Sequence, residues 1–176
     1  VLCFDVNEQG LIAIGQTGSQ GKEICVYTSQ GEFLYGYTFN CTQSFCVEWD
    51  GQHVNIYFIR SDVIISLDSD GNILDIKAVQ DTIDNNSYRN SLLYSTTRTV
   101  GNTTYLIRND MGIFNWIATS YSQIVTIDAT GSESIIYDVN SMQLTKTIVT
   151  ISLICVFVFV AVAVVIWQFI KLRRGN

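Results

Sequence analysis

Residues 44–79 read SFCVEWDGQHVNIYFIRSDVIISLDSDGNILDIKAV, and this stretch decides the fold. It contains four short runs in which apolar and polar residues alternate, separated by turn residues such as Asp50-Gly51 and Asp70-Gly71-Asn72. Alternation with a period of two is typical of β-strands, and Gly, Asp and Asn are typical of the hairpin turns that join them. The stretch therefore predicts a four-stranded antiparallel unit. Its strands are predicted at 44–49, 53–59, 62–68 and 72–79.

The same unit occurs three times in the chain. Turn glycines precede the second predicted strand at Gly10, Gly51 and Gly101, and others precede the fourth predicted strand of each copy. Counted between these glycines, the first two copies repeat at about forty residues, and self-similarity at this period is the signature of a repeat architecture. The units are predicted at 1–39, 44–79 and 91–139. The strands of the first are predicted at 2–6, 11–15, 23–28 and 32–39.

Two segments interrupt the repeat. In the third copy the two turn glycines are about ten residues farther apart than in the first two, which predicts an insertion at 111–122. This insertion contains Phe114, Trp116 and Tyr121. The polar segment 80–90, between the second and third units, is predicted to be a loop or a single helical turn.

A four-stranded unit of about forty residues has the size of one β-propeller blade. The order "strand, x-Asp-Gly, strand, strand, Asp-x-Asp-Gly, strand" resembles the blades of six-bladed and NHL-type β-propellers over residues 1–139. The resemblance implies an all-β fold of three blades, a partial propeller. Three blades do not close a ring, because propellers have four to eight. Three solutions remain open. The protein has further blades upstream, which the start within a strand favours, or the domain closes with a partner subunit, or the units form a twisted stack or sandwich.

The last part of the chain has a different character. Residues 148–170, IVTISLICVFVFVAVAVVIWQFI, contain no charge and span about 34 Å as a helix, enough to cross a hydrocarbon core of about 30 Å. A single transmembrane helix is therefore predicted at 148–170, after a juxtamembrane linker at 140–147 and before a basic tail at 171–176. Trp167 is placed as an interfacial aromatic residue, followed by Lys171, Arg173 and Arg174.

The charges around this helix predict its orientation. Three basic residues follow the apolar run and only Lys146 precedes it closely, which places the C-terminus in the cytoplasm and residues 1–139 outside the cell membrane. Residues 1–147 carry seven basic and 16 acidic residues, a net charge of −9. Such a domain has no electrostatic basis for binding nucleic acid.

Several residue types invite a chemical interpretation. Four cysteines lie outside the helix, and buried thiols or a Cys41–Cys46 disulfide are both compatible with their positions. His53, the only histidine, has no recognisable catalytic partner, and Asp68, Asp70 and Asn72 fit a hairpin turn better than a calcium loop. We therefore predict no catalytic site, cofactor or metal. The cysteines outside the helix are Cys3, Cys25, Cys41 and Cys46.

The best candidate for binding is a pair of related loops. Arg-x-Asp follows the second strand in units two and three, and in a propeller both loops would lie on one rim, next to the aromatic insertion. The alternative for each loop is a local ion pair, which contributes under about 1 kcal/mol when exposed. The predicted rim comprises Arg60, Asp62, Arg108, Asp110, Phe114 and Trp116.

These features favour a membrane-anchored recognition or scaffolding module that binds a protein, peptide or glycan outside the cell. Two alternatives remain. The chain would be part of a propeller-type hydrolase or lyase whose active residues lie upstream, or it would be a structural subunit of a membrane complex. Fold alone does not decide among these functions.

Overall fold

The computed structural model describes residues 1–118 and 120–174, without the side chains of residues 172 and 173. It contains twelve strands and two α-helices, with a 3-10 helix, here called the insertion helix, between the tenth and eleventh strands. The strands are β1 Cys3–Val6, β2 Ile12–Thr17, β3 Lys22–Tyr27, β4 Phe33–Phe39, β5 Phe45–Asp50, β6 His53–Phe58, β7 Val63–Leu67, β8 Ile73–Ala78, β9 Thr97–Val100, β10 Thr103–Arg108, β11 Gln123–Ile127 and β12 Glu133–Asp138. The helices are α1 Ile83–Tyr94, the insertion helix Gly112–Ile117 and α2 Asn140–Arg174.

The strands form three antiparallel sheets of four strands each, and within each sheet the strands follow the order of the chain. We call them sheet 1 (β1–β4), sheet 2 (β5–β8) and sheet 3 (β9–β12). All eight strands predicted individually in the first two units are confirmed, with ends within two residues of those predicted. Of the predicted all-β fold of three propeller-like blades, the three four-stranded antiparallel sheets are therefore confirmed, and the fold is mostly β.

Sheet 1 forms the middle layer of the domain because both of its faces are covered. Along β2, Ile12 and Ile14 point into a core shared with sheet 3, whereas Ala13 between them points into a core shared with sheet 2. These three side chains are at most 1% exposed. Burial of an Ile side chain contributes about 1.5–3 kcal/mol, so the two cores stabilise the contact of the sheets. In a row of successive propeller blades, the third blade would pack on the second. Here sheet 3 packs on sheet 1 instead.

The segment before sheet 3 is a helix of 12 residues, so the predicted loop or single turn at 80–90 is wrong. Thr82 caps α1 by accepting a hydrogen bond from the Asn85 N–H at 3.2 Å. Leu92 is its one fully buried residue, and Arg89 forms an ion pair with Asp62 of sheet 2 at 3.1 Å. With a single buried position, the helix leaves no apolar periodicity in the sequence from which it could be predicted.

Helix α2 runs without interruption through the predicted linker and the predicted span. Residues 140–147 form its first two turns, and the apolar run 148–170 continues the same helix. Residues spaced by three or four along its first turns are half-buried against the β domain: Asn140, Gln143, Leu144, Thr147 and Ile151. Among the residues that the structure describes, one helix is long and apolar enough to cross a membrane, and its most apolar part is not covered by the β domain.

Candidate functional site

The sheets have two distinct ends, to which the loops are assigned by topology. The far end carries the first and third turn of each sheet, at 7–11, 28–32, 51–52, 68–72, 101–102 and 128–132. The opposite end, here called the anchor end, carries the connections after the second strand of each sheet, and helix α2 leaves the domain there. The predicted rim belongs to the anchor end, so its loops and the start of α2 share one end of the domain.

The first rim loop is fixed by its neighbours. The side-chain amide oxygen of Gln43 accepts hydrogen bonds from the backbone N–H groups of Arg60 and Ser61, at 2.8 and 3.2 Å, while the Arg60 side chain is exposed. Asp62 has a left-handed φ of 48° and pairs with Arg89 of α1, not with Arg60. This loop therefore joins sheet 2 to α1, and the exposed Arg60 guanidinium forms no hydrogen bond or ion pair with the described residues.

The second rim loop makes different contacts. Arg108 pairs with Glu133 of β12 at 2.9 Å, and Asp110 is exposed. Neither arginine thus pairs with the aspartate of its own loop, and within the described residues no hydrogen bond or ion pair joins the two loops. Whether the rim binds a partner stays a prediction.

The predicted insertion is confirmed as the excursion between β10 and β11. Met111 is buried and anchors it, and its N–H donates to the side-chain oxygen of Asn115 at 2.8 Å. Phe114 is half-buried, whereas Ile113 and Trp116 are 79% and 84% exposed. The insertion helix therefore presents two large apolar side chains to the surroundings.

Hydrogen bonds join the insertion to the first turns of α2. The Gln143 side-chain amide donates to the Ser120 hydroxyl and to the Tyr121 carbonyl oxygen, both at 3.1 Å, and the Asn140 side-chain amide donates to the carbonyl oxygen of Asp110. A cavity of about 630 Å³ lies between these elements and the β2–β3 turn. Ile117 and Ala118 of the insertion line it on one side, and Lys146 and Thr147 of α2 on the other.

Close to the far end, the Asp5 carboxylate joins all three sheets. One oxygen accepts a hydrogen bond from the backbone N–H of Trp49 in sheet 2 at 2.7 Å, and the other accepts from Arg98 Nε in sheet 3 at 2.7 Å. The side chains of Asp5 and Arg98 are only 12% and 16% exposed. We call Asp5, Trp49 and Arg98 the hub. Sequence reasoning missed it, because its members come from three units and are up to 93 residues apart.

Several N–H donors near the hub are buried and have no hydrogen-bond partner among the described residues: Asn7 Nδ2, Trp49 Nε1 and Arg98 Nη2. Asn7, 5% exposed, and Trp49 also line a cavity of about 440 Å³ at the far end, together with Asp5 and Gln52. These donors are closed off from the surroundings, and a buried donor without a partner is unfavourable. Asp5 and Glu8 add acidic side chains to the lining of the cavity. Neighbouring Glu48 accepts a hydrogen bond from Tyr88, and burial raises the pKa of Glu48, with the nearby Asp5 charge adding to the shift.

The residues weighed for metal or redox chemistry have structural roles. Asp68 accepts hydrogen bonds from the N–H groups of Asp70 and Asn72 at 3.0 and 2.8 Å, which confirms the hairpin turn. In the part of the chain that the structure describes, no group of three His, Cys, Asp or Glu side chains is arranged to hold a metal ion. His53 is exposed.

The five cysteines are free thiols. Cys3 and Cys46 are buried, and burial raises the pKa of each to about 12. Cys25 and Cys41 are half-buried, and the Cys41 thiol donates to the carbonyl oxygen of Gln43 at 3.6 Å. The four thiols outside α2 therefore serve as packing groups. The disulfide considered between Cys41 and Cys46 is not formed.

The predicted membrane-interface residues lie at the distal end of α2. The Lys171 ammonium nitrogen is 5.4 Å from the centre of the Trp167 ring, and Trp167 and Arg174 are exposed. The side chain of Arg173, like Gly175 and Asn176 of the predicted tail, lies outside the described residues. An aromatic ring beside a lysine is typical of the boundary between lipid and water.

No family model matches this chain, and no curated protein is similar to it in sequence. A solved structure of a protein of unknown function from Bacteroides caccae aligns with 78% of the chain at 12% identity and a TM-score of 0.38. The aligned chain spans 65% of the length of that structure.

Proposed function

We propose that this protein is a membrane-anchored recognition or scaffolding module. Helix α2 crosses the cell membrane once, its basic end lies in the cytoplasm, and the β domain lies outside as a propeller-like unit. The observation that carries this proposal is the exposure of α2 beyond its first turns. Phe157, Phe159 and Phe169, for example, are 67–75% exposed in a helix whose most apolar 18-residue stretch has a mean hydropathy of 3.2.

The exposed helix is incompatible with water as its only surroundings. Contiguous apolar patches on monomeric soluble proteins rarely exceed a few hundred Å², and 23 successive uncharged residues go far beyond that. A hydrocarbon core provides the missing environment, and a helix satisfies its own backbone hydrogen bonds there. The cluster Lys171, Arg173 and Arg174, against Lys146 alone, supports a cytoplasmic C-terminus.

The far end of the β domain supports a recognition function, because the proposed orientation of α2 directs this end away from the membrane. The first strands β1, β5 and β9 converge on the hub, as the inner strands of propeller blades do. The cavity beside them is lined by Asn7 and Trp49, and a peptide or glycan bound there would draw the buried N–H donors of these two side chains toward its oxygen atoms. This surface adds a second candidate to the rim at the anchor end.

Anchoring and orientation are tested with the full chain in sealed vesicles. We expect the protein to remain in the membrane pellet after extraction at alkaline pH. In cytosol-side-out vesicles, we expect external protease to leave the β domain intact. Release of the protein by alkali, or digestion of the β domain in intact vesicles of this orientation, would refute the proposal.

Recognition is tested by binding the detergent-solubilised protein to arrays of glycans and peptides. Asn7→Asp removes the amide donor but keeps the oxygen that the turn requires, and Trp49→Phe removes the indole donor. We expect both changes to abolish binding if the far end is the site, and Arg60→Ala with Arg108→Ala to abolish it if the rim is. A set of array signals that none of these variants changes would exclude both surfaces.

One observation favours a second function, that of a structural subunit in a membrane complex. Strand β8 is an outer strand that is exposed throughout, and its Ile73, Leu74 and Ile76 are 50–60% exposed. Exposed apolar edge strands are templates for pairing with another chain. Chemical cross-linking of native membranes distinguishes this function: Ile76→Lys should abolish a subunit contact and leave the array binding unchanged.

A further inference from the structure

We infer that the insertion helix is a second membrane-contacting element, in which Ile113 and Trp116 dip into the interfacial layer of the bilayer that α2 crosses. This inference rests on the proposed function and deepens it, because it assigns a lipid ligand to the anchor end. Four observations on the insertion support it: its level along α2, its attachment, its composition and its exposure.

The insertion lies at the level where the apolar part of α2 begins. Ile117 and Ala118 line the same cavity as Lys146 and Thr147, and the uncharged run starts at the next residue, Ile148. An α-helix rises 1.5 Å per residue, so the part of α2 next to the insertion, residues 140–147, covers about 12 Å and ends where the predicted span begins. An element at that level faces headgroups, not bulk water.

The insertion is also held at that level. Gln143 of α2 bonds to Ser120 and Tyr121, which follow the insertion helix, and Asn140 bonds to Asp110, which precedes it. Both flanks of the insertion are thus attached to the first turns of α2. The depth of the insertion helix in the bilayer therefore follows from the depth of α2.

The composition of the insertion matches an interfacial environment. Residues 111–122 contain no charged side chain, although residues 1–147 carry a net charge of −9. An acidic segment at this place would be repelled by anionic lipids, and a charged one would resist partial desolvation. Tryptophan prefers the interface because its ring is apolar and its N–H is polar.

The exposed apolar side chains of the insertion helix need an apolar environment, and the nearby bilayer provides it. Ile113 and Trp116 are 79% and 84% exposed, and the described part of the β domain does not cover them. On this assignment Trp116 marks the outer boundary of the lipid and Trp167, near the other end of the apolar run, marks the inner one. Two aromatic positions at opposite interfaces are typical of membrane-spanning chains.

The inference is tested by fluorescence quenching of the full chain in phosphatidylcholine vesicles. The acyl chains of the lipid are brominated close to the headgroups, so that only tryptophans near the interface lose emission. Three variants keep Trp49, which packs in the domain and serves as the internal reference. They are Trp167→Phe, which retains Trp116, Trp116→Phe, which retains Trp167, and the double variant, which retains Trp49 alone.

We expect brominated lipid to leave the emission of the double variant unchanged and to reduce the emission of both single variants. If Trp167 is quenched in the Trp116→Phe variant but Trp116 is not quenched in the Trp167→Phe variant, the inference is overturned and the membrane span stands. Absence of quenching in the Trp116→Phe variant would instead refute the span itself. Loss of acrylamide access to Trp116 without bromolipid quenching would indicate a protein contact at this surface and would also overturn the inference.

Discussion

The far end and the anchor end of the β domain are built in opposite ways. At the far end, one five-residue loop occurs four times. In each copy the side-chain oxygen of the first residue accepts from the N–H groups two and four residues later, and the fourth residue is a glycine with a φ of 80–84°. The first residues of these loops are Asn7, Thr28, Asp68 and Asp128.

At the anchor end, no two of the three corresponding connections are alike. They are a glycine-rich turn in sheet 1, the Gln43-bonded turn in sheet 2 and the insertion in sheet 3. The repetition indicates that the far-end loops fix the turns between strands, so we expect substitutions in them to reduce stability, whether or not the cavity at this end binds a ligand. At exposed anchor-end positions we expect little change in stability. Under the proposed function, substitutions there change membrane or partner contacts.

The largest expected effect comes from the hub, close to the far end. Asp5→Ala leaves the buried Arg98 guanidinium without its carboxylate, and removal of one partner of a buried ion pair costs about 3–5 kcal/mol. Denaturant titration of the whole chain in detergent, followed by near-ultraviolet circular dichroism, measures this loss. The control is Asp110→Ala, an exposed acid at the anchor end, for which we expect almost no change. Equal losses in the two variants would contradict the proposed division between the ends.

A pair of glycines at the far end separates packing from backbone strain. Gly31 and Gly131 occupy the same loop position with φ values of 84° and 82°. A Cβ on Gly31 would lie 2.3 Å from the Ile136 carbonyl oxygen, where sheet 1 meets sheet 3, whereas a Cβ on Gly131 would meet nothing within 4 Å.

Gly131→Ala should therefore cost only the left-handed backbone strain, about 1–2 kcal/mol. Gly31→Ala should cost the same strain and about 1–3 kcal/mol more for the clash. The same denaturant titration measures both. If the two variants lose equal stability, the loop of sheet 1 does not hold sheet 3 in place.

A smaller loss of stability is expected at acid pH. The hydrogen bond from the Asn72 side chain, with those from nearby backbone N–H groups, lowers the pKa of Asp68, and the bond from Thr130 is the first cause of the same shift in Asp128. A carboxyl group with a lowered pKa in the folded state stabilises the fold above its unfolded pKa of about 3.9, and this contribution is lost as the pH falls through the folded value.

We therefore expect the melting temperature to fall more steeply below about pH 4 in the natural chain than in a variant with Asp68→Asn and Asp128→Asn. The amide oxygen of Asn accepts the same backbone hydrogen bonds without titrating in this range, as Asn7 does in its own loop. The loop that begins at Thr28 is the comparison within the chain: it has the same backbone hydrogen bonds, but its hydroxyl does not titrate. Parallel pH profiles for the two proteins would show that these carboxylates do not contribute.

The contrast between the ends also explains what could be predicted from sequence. The eight strands of the first two units and the position of the insertion followed from local signals, namely alternation with a period of two and the spacing of turn glycines. Helix α1 did not, because it is stabilised by tertiary contacts such as Arg89–Asp62 and has one buried apolar residue. The packing of sheet 3 on sheet 1 also left no local signal.

The candidate sites divide in the same way. Arg60 and Arg108 were singled out by their shared Arg-x-Asp pattern, yet the folded chain gives the two loops different partners. The hub depends on Asp5 and Arg98, which are 93 residues apart and belong to different units. No pattern within one repeat predicts a contact between repeats, so only the folded chain reveals it.

The smallest effect on stability is expected at the insertion helix. This result would contrast most directly with the large effect expected at the hub. Ile113→Ser with Trp116→Ser removes two large side chains, but both are at least 79% exposed, so the free energy of unfolding in detergent should change by less than about 0.5 kcal/mol. The same variant should make the insertion more accessible to aqueous reagents in vesicles, which limited proteolysis at this segment would measure. A large loss of stability in detergent would mean that these side chains pack within the domain, and the insertion would then belong with the far end as part of the scaffold. A stable variant whose insertion is cut faster only in vesicles would leave lipid contact as the role of this segment.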